Sequence, residues 1–217
     1  MCSSRDSRRR TERYLVVKNW VSERADRQWC LFLDRDGVVN RRIAGDYART
    51  WGDFEWLPGA LEALVTLREW APQLVVVTNQ QGVGKGLMRA EDVSEIHRRL
   101  QADLSDAGAL VDGFQVCPHL EAVGCSCRKP KPNLVLDWLR QHPESEPSLS
   151  IMVGDSRSDI ELAQNVGVST GGCVSIHIGS PKLGAAAHAS FDSLWESSPP
   201  QSRHHRRLRR PLKLHAL

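Results

Sequence analysis

Trp29-Cys30-Leu31-Phe32-Leu33-Asp34-Arg35-Asp36-Gly37 is the stretch on which the fold turns. Its first five residues form an unbroken apolar run, without the alternation of a strand that has one wet face. A strand buried on both sides is therefore expected. Two carboxylates two residues apart follow at once, and Gly37 lets the chain bend sharply after them.

Four more runs repeat the first pattern: Leu74–Val77, Gly113–Cys117, Ser150–Val153 and Cys173–Ile176. Helical patterns lie between them. Pro58-Gly59 opens Ala60–Trp70, where Leu61, Leu64, Val65 and Leu67 recur at three- and four-residue spacing. Ala90–Ala107 carries Val93, Ile96, Leu100 and Leu104 on one stripe and ends at Gly108. Further helices are expected at Asn133–Gln141 and at Ser158–Val166, the last stopping before Gly167. Strand and helix in alternation predict a doubly wound α/β fold with a mainly parallel sheet. Ligands in such sheets sit beyond the carboxyl ends of the strands, so Asp34, Thr78, Cys117 and Asp155, which close or follow four of the runs, are the residues to read for chemistry.

The chain of 217 residues is ordinary in composition, at 41% hydrophobic and 25% charged, which suits one core. Its formal charge of +3 hides a division, since residues 27–199 hold 16 basic against 22 acidic side chains. We expect one folded domain over 28–180, extending to about 197, between a flexible basic extension at 1–27 and a disordered basic tail at 198–217. Arginine-rich ends can bind nucleic acid or anionic lipid, but short solvated tails of this kind ordinarily do neither. No apolar run approaches the ~20 residues of a membrane span. After the first arginines only Leu15, Val16 and Val17 are contiguous and apolar, so a secretory leader is not expected and a cytoplasmic monomer is. Val21 marks an alternative start if its codon is GUG. Six cysteines in a reducing compartment point to free thiols or a metal site, not disulfides.

Asp34 and Asp36 suit phosphoryl transfer: one carboxylate attacks and holds the phosphoryl group, and the other protonates the departing alcohol. A hard cation such as Mg²⁺ is then needed to bring a phosphate dianion among acids. An EF-hand is excluded, because glycine stands fourth in the motif where that loop requires it sixth. Thr78-Asn79-Gln80-Gln81-Gly82 offers a hydroxyl and amides to phosphate oxygens. Gly82-Val83-Gly84-Lys85-Gly86 is no P-loop, since Gly86 stands where Ser or Thr must follow the lysine. Arg128-Lys129 supplies two cations. Gly154-Asp155-Ser156-Arg157-Ser158-Asp159 sets two more acids at a strand-to-helix turn, where metal binding competes with simple helix capping.

Cys117-Pro118-His119 and Cys125-Ser126-Cys127 place four soft ligands within eleven residues, the signature of a closed, structural Zn²⁺ site. It leads straight into Arg128 and Lys129, so its expected service is to fix them. Cys30 and Cys173 lie in apolar runs and read as core.

Asp34-x-Asp36, Thr78, Lys129 and Asp155, in that order and spacing, resemble the four motifs of the haloacid dehalogenase superfamily. The Thr78-Asn-Gln stretch and the Cys/His cluster resemble its smaller group of heptose-bisphosphate and histidinol-phosphate phosphatases, and the match, over about residues 29–179, stands nearest to actinobacterial versions. That resemblance implies Asp34 as nucleophile and Asp36 as general acid/base. It also implies Mg²⁺ on Asp34, the Asp36 carbonyl and Asp155. Thr78 and Lys129 would hold the phosphoryl group, with Arg42, Asn79, Gln80, Gln81 and Arg128 at the substrate. Only residues 41–57 are free to form a flap, so the capless form is implied.

The short zinc loop leans toward histidinol phosphatases, and Ser156-Arg157 stands where heptose enzymes often carry lysine. Gly82–Leu87 and the Trp51–Pro58 flap lean toward the heptose group. Release of the 7-phosphate from a heptose 1,7-bisphosphate is the expectation. Histidinol phosphate is the rival substrate, and a zinc-containing nucleic-acid-binding module the reading of a different class.

Overall fold

The computed structural model describes residues 20, 22–179 and 186–197. The expected tail at 198–217, most of the basic extension and Val21 lie outside the described residues.

Six strands form one parallel sheet in the order β3-β2-β1-β4-β5-β6: β1 Cys30–Leu33, β2 Gln73–Asn79, β3 Gly113–Cys117, β4 Ile151–Gly154, β5 Val174–Ile178 and β6 Ala189–Phe191. The unbroken apolar runs have the predicted cause. Leu31 and Leu33 of β1, with Leu74 and Val76 of β2, point into one core cluster, while Cys30, Phe32, Val75 and Val77 point into another on the opposite face. Helices α1 (Ala60–Arg68) and α3 (Ala90–Asp106) cover the first cluster through Leu64, Leu67, Ile96, Leu100 and Leu104. Helices α4 (Asn133–Gln141) and α5 (Arg157–Thr170) cover the second through Leu134, Trp138, Leu162 and Val166. Two short helices, α2 (Gln81–Gly84) and α6 (Leu194–Ser197), complete the set.

Two boundaries differ from the sequence reading. Helix α5 runs through Gly167 and stops at Gly171, whose φ of 84° supplies the left-handed turn. Gly167 meets only ordinary packing, so it costs the helix some propensity without ending it. Beyond Gly179, within the extension to about 197 that the sequence reading included, β6 returns and pairs in parallel with β5, Ile176 opposite Ala189 and Ile178 opposite Phe191. The folded body also starts before Gln28. Arg24 is 5% exposed and donates to the Leu149 carbonyl at 2.7 Å, and Arg27 pairs with Glu146.

Strand order reverses between β1 and β4, the place where doubly wound sheets open a crevice for ligand. The amide of Asp34 donates to the Val153 carbonyl at 2.9 Å, so the ladder carries the first catalytic candidate alongside the end of β4.

Candidate active site

Asp34 follows β1 and Asp155 follows β4, at the ends of neighbouring strands. Gly37 makes their approach feasible. A Cβ there would lie 1.9 Å from Asp155 Oδ2, and its φ is 100°. Gly154 does the same for Asp159, whose Cβ would stand 2.1 Å from an added methyl. Both glycines are close-approach positions where any side chain would displace a carboxylate.

Carboxylate oxygens of Asp34, Asp155 and Asp159 lie within 4.8 Å of one another. The guanidinium of Arg42 tests what this seat accepts. Its Nη2 donates to Asp155 Oδ1 at 2.7 Å and to the Asp36 carbonyl at 3.0 Å, and stands 3.6 Å from Asp34 Oδ2. One nitrogen thus touches all three groups expected to ligate a metal, which is the donor set a hard divalent cation takes. Burial pushes the Asp34 carboxyl up to about 7, with the Lys129 charge opposing and the negative charges of Asp159 and Asp36 reinforcing. Burial likewise lifts Asp155 to about 6, against Arg42. Such acids lack sufficient positive charge of their own.

Lys129, 4% exposed, is the fixed cation. Its Nζ bonds Asp34 Oδ1 at 2.8 Å, Asp159 Oδ1 at 2.7 Å and the Val77 carbonyl at 2.9 Å. Burial alone would lower its pKa, but the two carboxylates raise it and keep it charged. Asp159 Oδ2 accepts the Ser156 amide at 3.1 Å and so caps α5 as well. The partner of Lys129 and the helix cap are therefore two oxygens of one side chain. Asp159 is the member of the site that the sequence reading did not assign; the only sign of it was an acid one turn beyond Asp155.

Thr78 and Asn79 close β2. Asn79 clasps the Lys129 backbone in both directions, donating to its carbonyl at 3.2 Å and accepting its amide at 3.1 Å. Gln80, expected among the amides facing substrate, is fully buried, and its Nε2 donates to Asp36 Oδ2 at 2.7 Å and Thr78 Oγ1 at 2.8 Å. Gln81 accepts the Glu121 amide at 2.8 Å and reaches Tyr47 of the flap, tying loop to flap. Arg128 stands 3.8 Å from Glu121, and its Nη1 is buried without an acceptor.

Asp36 is gripped from three sides. Arg35 donates through Nε and Nη2 at 3.2 and 3.1 Å, Asn40 at 2.9 Å and Gln80 at 2.7 Å. Burial pushes this carboxyl up, but the Arg35 charge and these hydrogen bonds outweigh it and hold it below the ordinary range.

Ligand atoms of Cys117, His119, Cys125 and Cys127 also lie within 4.8 Å of one another. The three sulfur pairs are 3.3 to 3.6 Å apart, and His119 Nδ1 is 3.2 Å from Cys127 Sγ. A zinc tetrahedron with bonds of about 2.3 Å has edges near 3.8 Å, so the cluster is slightly contracted but of the right shape.

A parallel sheet with acids converging at its switch point and a buried lysine across from them defines a class, the haloacid dehalogenase-like hydrolases. A HAD-hydrolase-like family model matches residues 126–175. The chain is 65% identical over 176 residues to the D-glycero-α-D-manno-heptose-1,7-bisphosphate 7-phosphatase of Mycobacterium bovis, covering 81% of this chain and 93% of that one. It is 36% identical to the β-heptose-1,7-bisphosphate 7-phosphatase of Rhodopseudomonas palustris, over 66% and 82% of the two chains. The crystal structure of D,D-heptose 1,7-bisphosphate phosphatase from B. bronchiseptica, complexed with magnesium and phosphate, superposes with a TM-score of 0.68 at 28% identity, covering 78% of this chain and 95% of that one. This chain belongs to the heptose-bisphosphate phosphatase family of the haloacid dehalogenase superfamily. It is a phosphoric monoester hydrolase. Among the described residues no helix is long and apolar enough to cross a membrane.

Proposed function

We propose that this enzyme removes the 7-phosphate of D-glycero-α-D-manno-heptose 1,7-bisphosphate, a step toward nucleotide-activated heptose. The observation that carries the reading is the convergence of Asp34, the Asp36 carbonyl and Asp155 on one positive group, opposite Lys129. The α-anomer follows from the relative named for it, which is 65% identical, against 36% for one named for the β-anomer.

Asp34 attacks the phosphorus, and Lys129 and Thr78 hold the oxygens of the transferring group. Asp34, the Asp36 carbonyl and Asp155, with Asp159 at hand, would hold Mg²⁺, which would supply neutralising charge for the phosphate. Asp36 delivers a proton to the departing sugar oxygen and then takes one from the water that splits the aspartyl-phosphate. The grip of Arg35, Asn40 and Gln80 favours the ionised form that the second step uses. The negative charge of an arriving phosphate dianion raises the same carboxyl toward the protonated form that the first step uses. Arg42, freed from the acids, and Arg128, with its unspent Nη1, serve the rest of the substrate, and the open flap of residues 41–57 admits it. Cys117, His119, Cys125 and Cys127 would hold Zn²⁺, which would fix the loop before Arg128 and Lys129. The enzyme is taken as a monomer in the cytoplasm, where such thiols stay reduced.

Steady-state kinetics on the α-heptose bisphosphate and on histidinol phosphate test the proposal. The bisphosphate is expected to have the higher kcat/KM, and a tenfold preference for histidinol phosphate would reverse the assignment.

A further inference from the structure

We propose that His97 is a positioning residue for phosphoryl transfer: its ring nitrogen Nε2 accepts from Arg35 Nη1 and so keeps the Arg35 fork seated on the carboxylate of Asp36. This rests on Asp36 being the general acid/base of the reaction.

Arg35 sits between the two catalytic candidates and is 0% exposed. A guanidinium that has lost all contact with water must meet its donors inside the protein or be strongly disfavoured. Nε and Nη2 are met by the two oxygens of Asp36. Nη1 points the other way and finds His97 Nε2 at 3.3 Å. Among the described residues, Asp36 and His97 are the two side chains that hydrogen-bond this guanidinium. Without an acceptor on the His97 side, the plane of the guanidinium is free to rotate about its bonds to Asp36, and the carboxylate turns with it.

The geometry makes His97 fit for this service. It lies in the buried stripe of α3 beside Val93, Ile96 and Leu100, and its ring stacks on Phe114 of β3 with centroids 4.2 Å apart and planes 10° apart. Sheet and helix thus fix the ring from two sides. To accept from an arginine the imidazole must be neutral with its hydrogen on Nδ1. Burial and the neighbouring Arg35 charge, opposed only by Asp36, push His97 down to about 3, which secures that form. A histidine serving only the core would need a partner but would have no reason to aim at the one cation that grips Asp36.

The test uses the difference between leaving groups. In the first chemical step a sugar alkoxide needs a proton from Asp36, whereas 4-nitrophenolate leaves without one, and kcat/KM reports the steps up to and including this one but not the later hydrolysis. For His97→Phe, kcat/KM on a primary sugar phosphate is expected to fall about tenfold or more, while 4-nitrophenyl phosphate loses less than about threefold. His97→Gln, which restores an acceptor, should return the sugar phosphate to within about threefold of wild type. Asp36→Asn is the reference and must show the same selective loss, larger. If Asp36→Asn shows no selectivity, the acid/base assignment itself fails; if it does and His97→Phe does not, the His97 proposal alone is overturned. Nitrogen chemical shifts of the wild-type ring, which depend on no variant folding, must show Nε2 unprotonated at pH 6. A protonated Nε2 there overturns the proposal as well.

Discussion

Asp34 and Asp155 meet across 121 positions of sequence, whereas Cys117, His119, Cys125 and Cys127 come together within one eleven-residue loop. The acidic cluster exists only because β1 and β4 are neighbours and two glycines let carboxylates crowd; before the fold forms there is no site. It is also costly to the fold, as the raised carboxyls of Asp34 and Asp155 show. The cysteine and histidine cluster is local, and an ion bound there would be taken up while the chain is still loose and would contribute its binding energy to folding. One region is strained for chemistry and the other is fastened for stability. Substitutions should separate them accordingly.

Removing the nucleophile is the severest break. Asp34→Asn should lower turnover of a sugar phosphate by about 10³-fold or more, while its melting temperature stays near that of wild type because a buried charge has gone with the function. A purified variant that keeps more than a tenth of wild-type rate would refute the covalent assignment. Next comes crowding. Gly37→Ala forces a methyl to within 1.9 Å of Asp155 Oδ2 at a φ of 100°, and kcat should drop about 100-fold with a stability loss of about 1–3 kcal/mol seen in denaturant melts.

Zinc removal acts from the other side of the comparison. Chelation, or Cys127→Ser, should lower the melting temperature by about 10 °C, with activity falling only as the Arg128–Lys129 segment loosens. A melting temperature unchanged after verified metal loss would sink the structural role. The smallest effect is electrostatic. His97 has a folded pKa of about 3 against 6.5 for the ordinary side chain, so between these values the unfolded chain binds the extra proton and stability is lost as pH falls. From pH 7 to 5.5 wild type should lose about 1 kcal/mol more than His97→Gln, and parallel melting curves for the two would contradict this. The comparison between variants is needed because Asp34 and Asp155, with raised pKa values, titrate in the same window with the opposite sign.

The first five strands were legible as largely apolar runs, of which β1, β2 and β4 are buried on both faces while β3, at the sheet edge, is half-buried. Strand β6 was not: Ala189-Ser190-Phe191 is three residues long, follows a small and polar stretch, and is identified only by pairing with β5. Gly167 misled because glycine usually ends helices, and nothing in the chain says that the left-handed turn waits for Gly171. In the candidate site, Asp34, Asp36, Thr78, Lys129 and Asp155 were legible as candidates because each follows or closes a buried strand or belongs to a recognisable motif. Asp159, Arg35 and His97 were not assigned, since their roles lie in contacts with Lys129 and Asp36 that only the register of separate strands and helices creates. The same applies to Gln80, whose polarity suggested substrate and whose burial directs it to Asp36.

Strand β6 also guards the sheet. Cutting the chain at Gly179 would strip Ala189–Phe191 from Val174–Ile178 and take away Phe191 and Leu194, which share a core cluster with Ile176 and Ile178. The bared rim would offer a ladder of unpaired amides and carbonyls, flanked by isoleucines, to any passing extended peptide. Such a shortened protein would keep its whole set of catalytic acids and still be lost to clumping, so the last segment earns its keep in solubility.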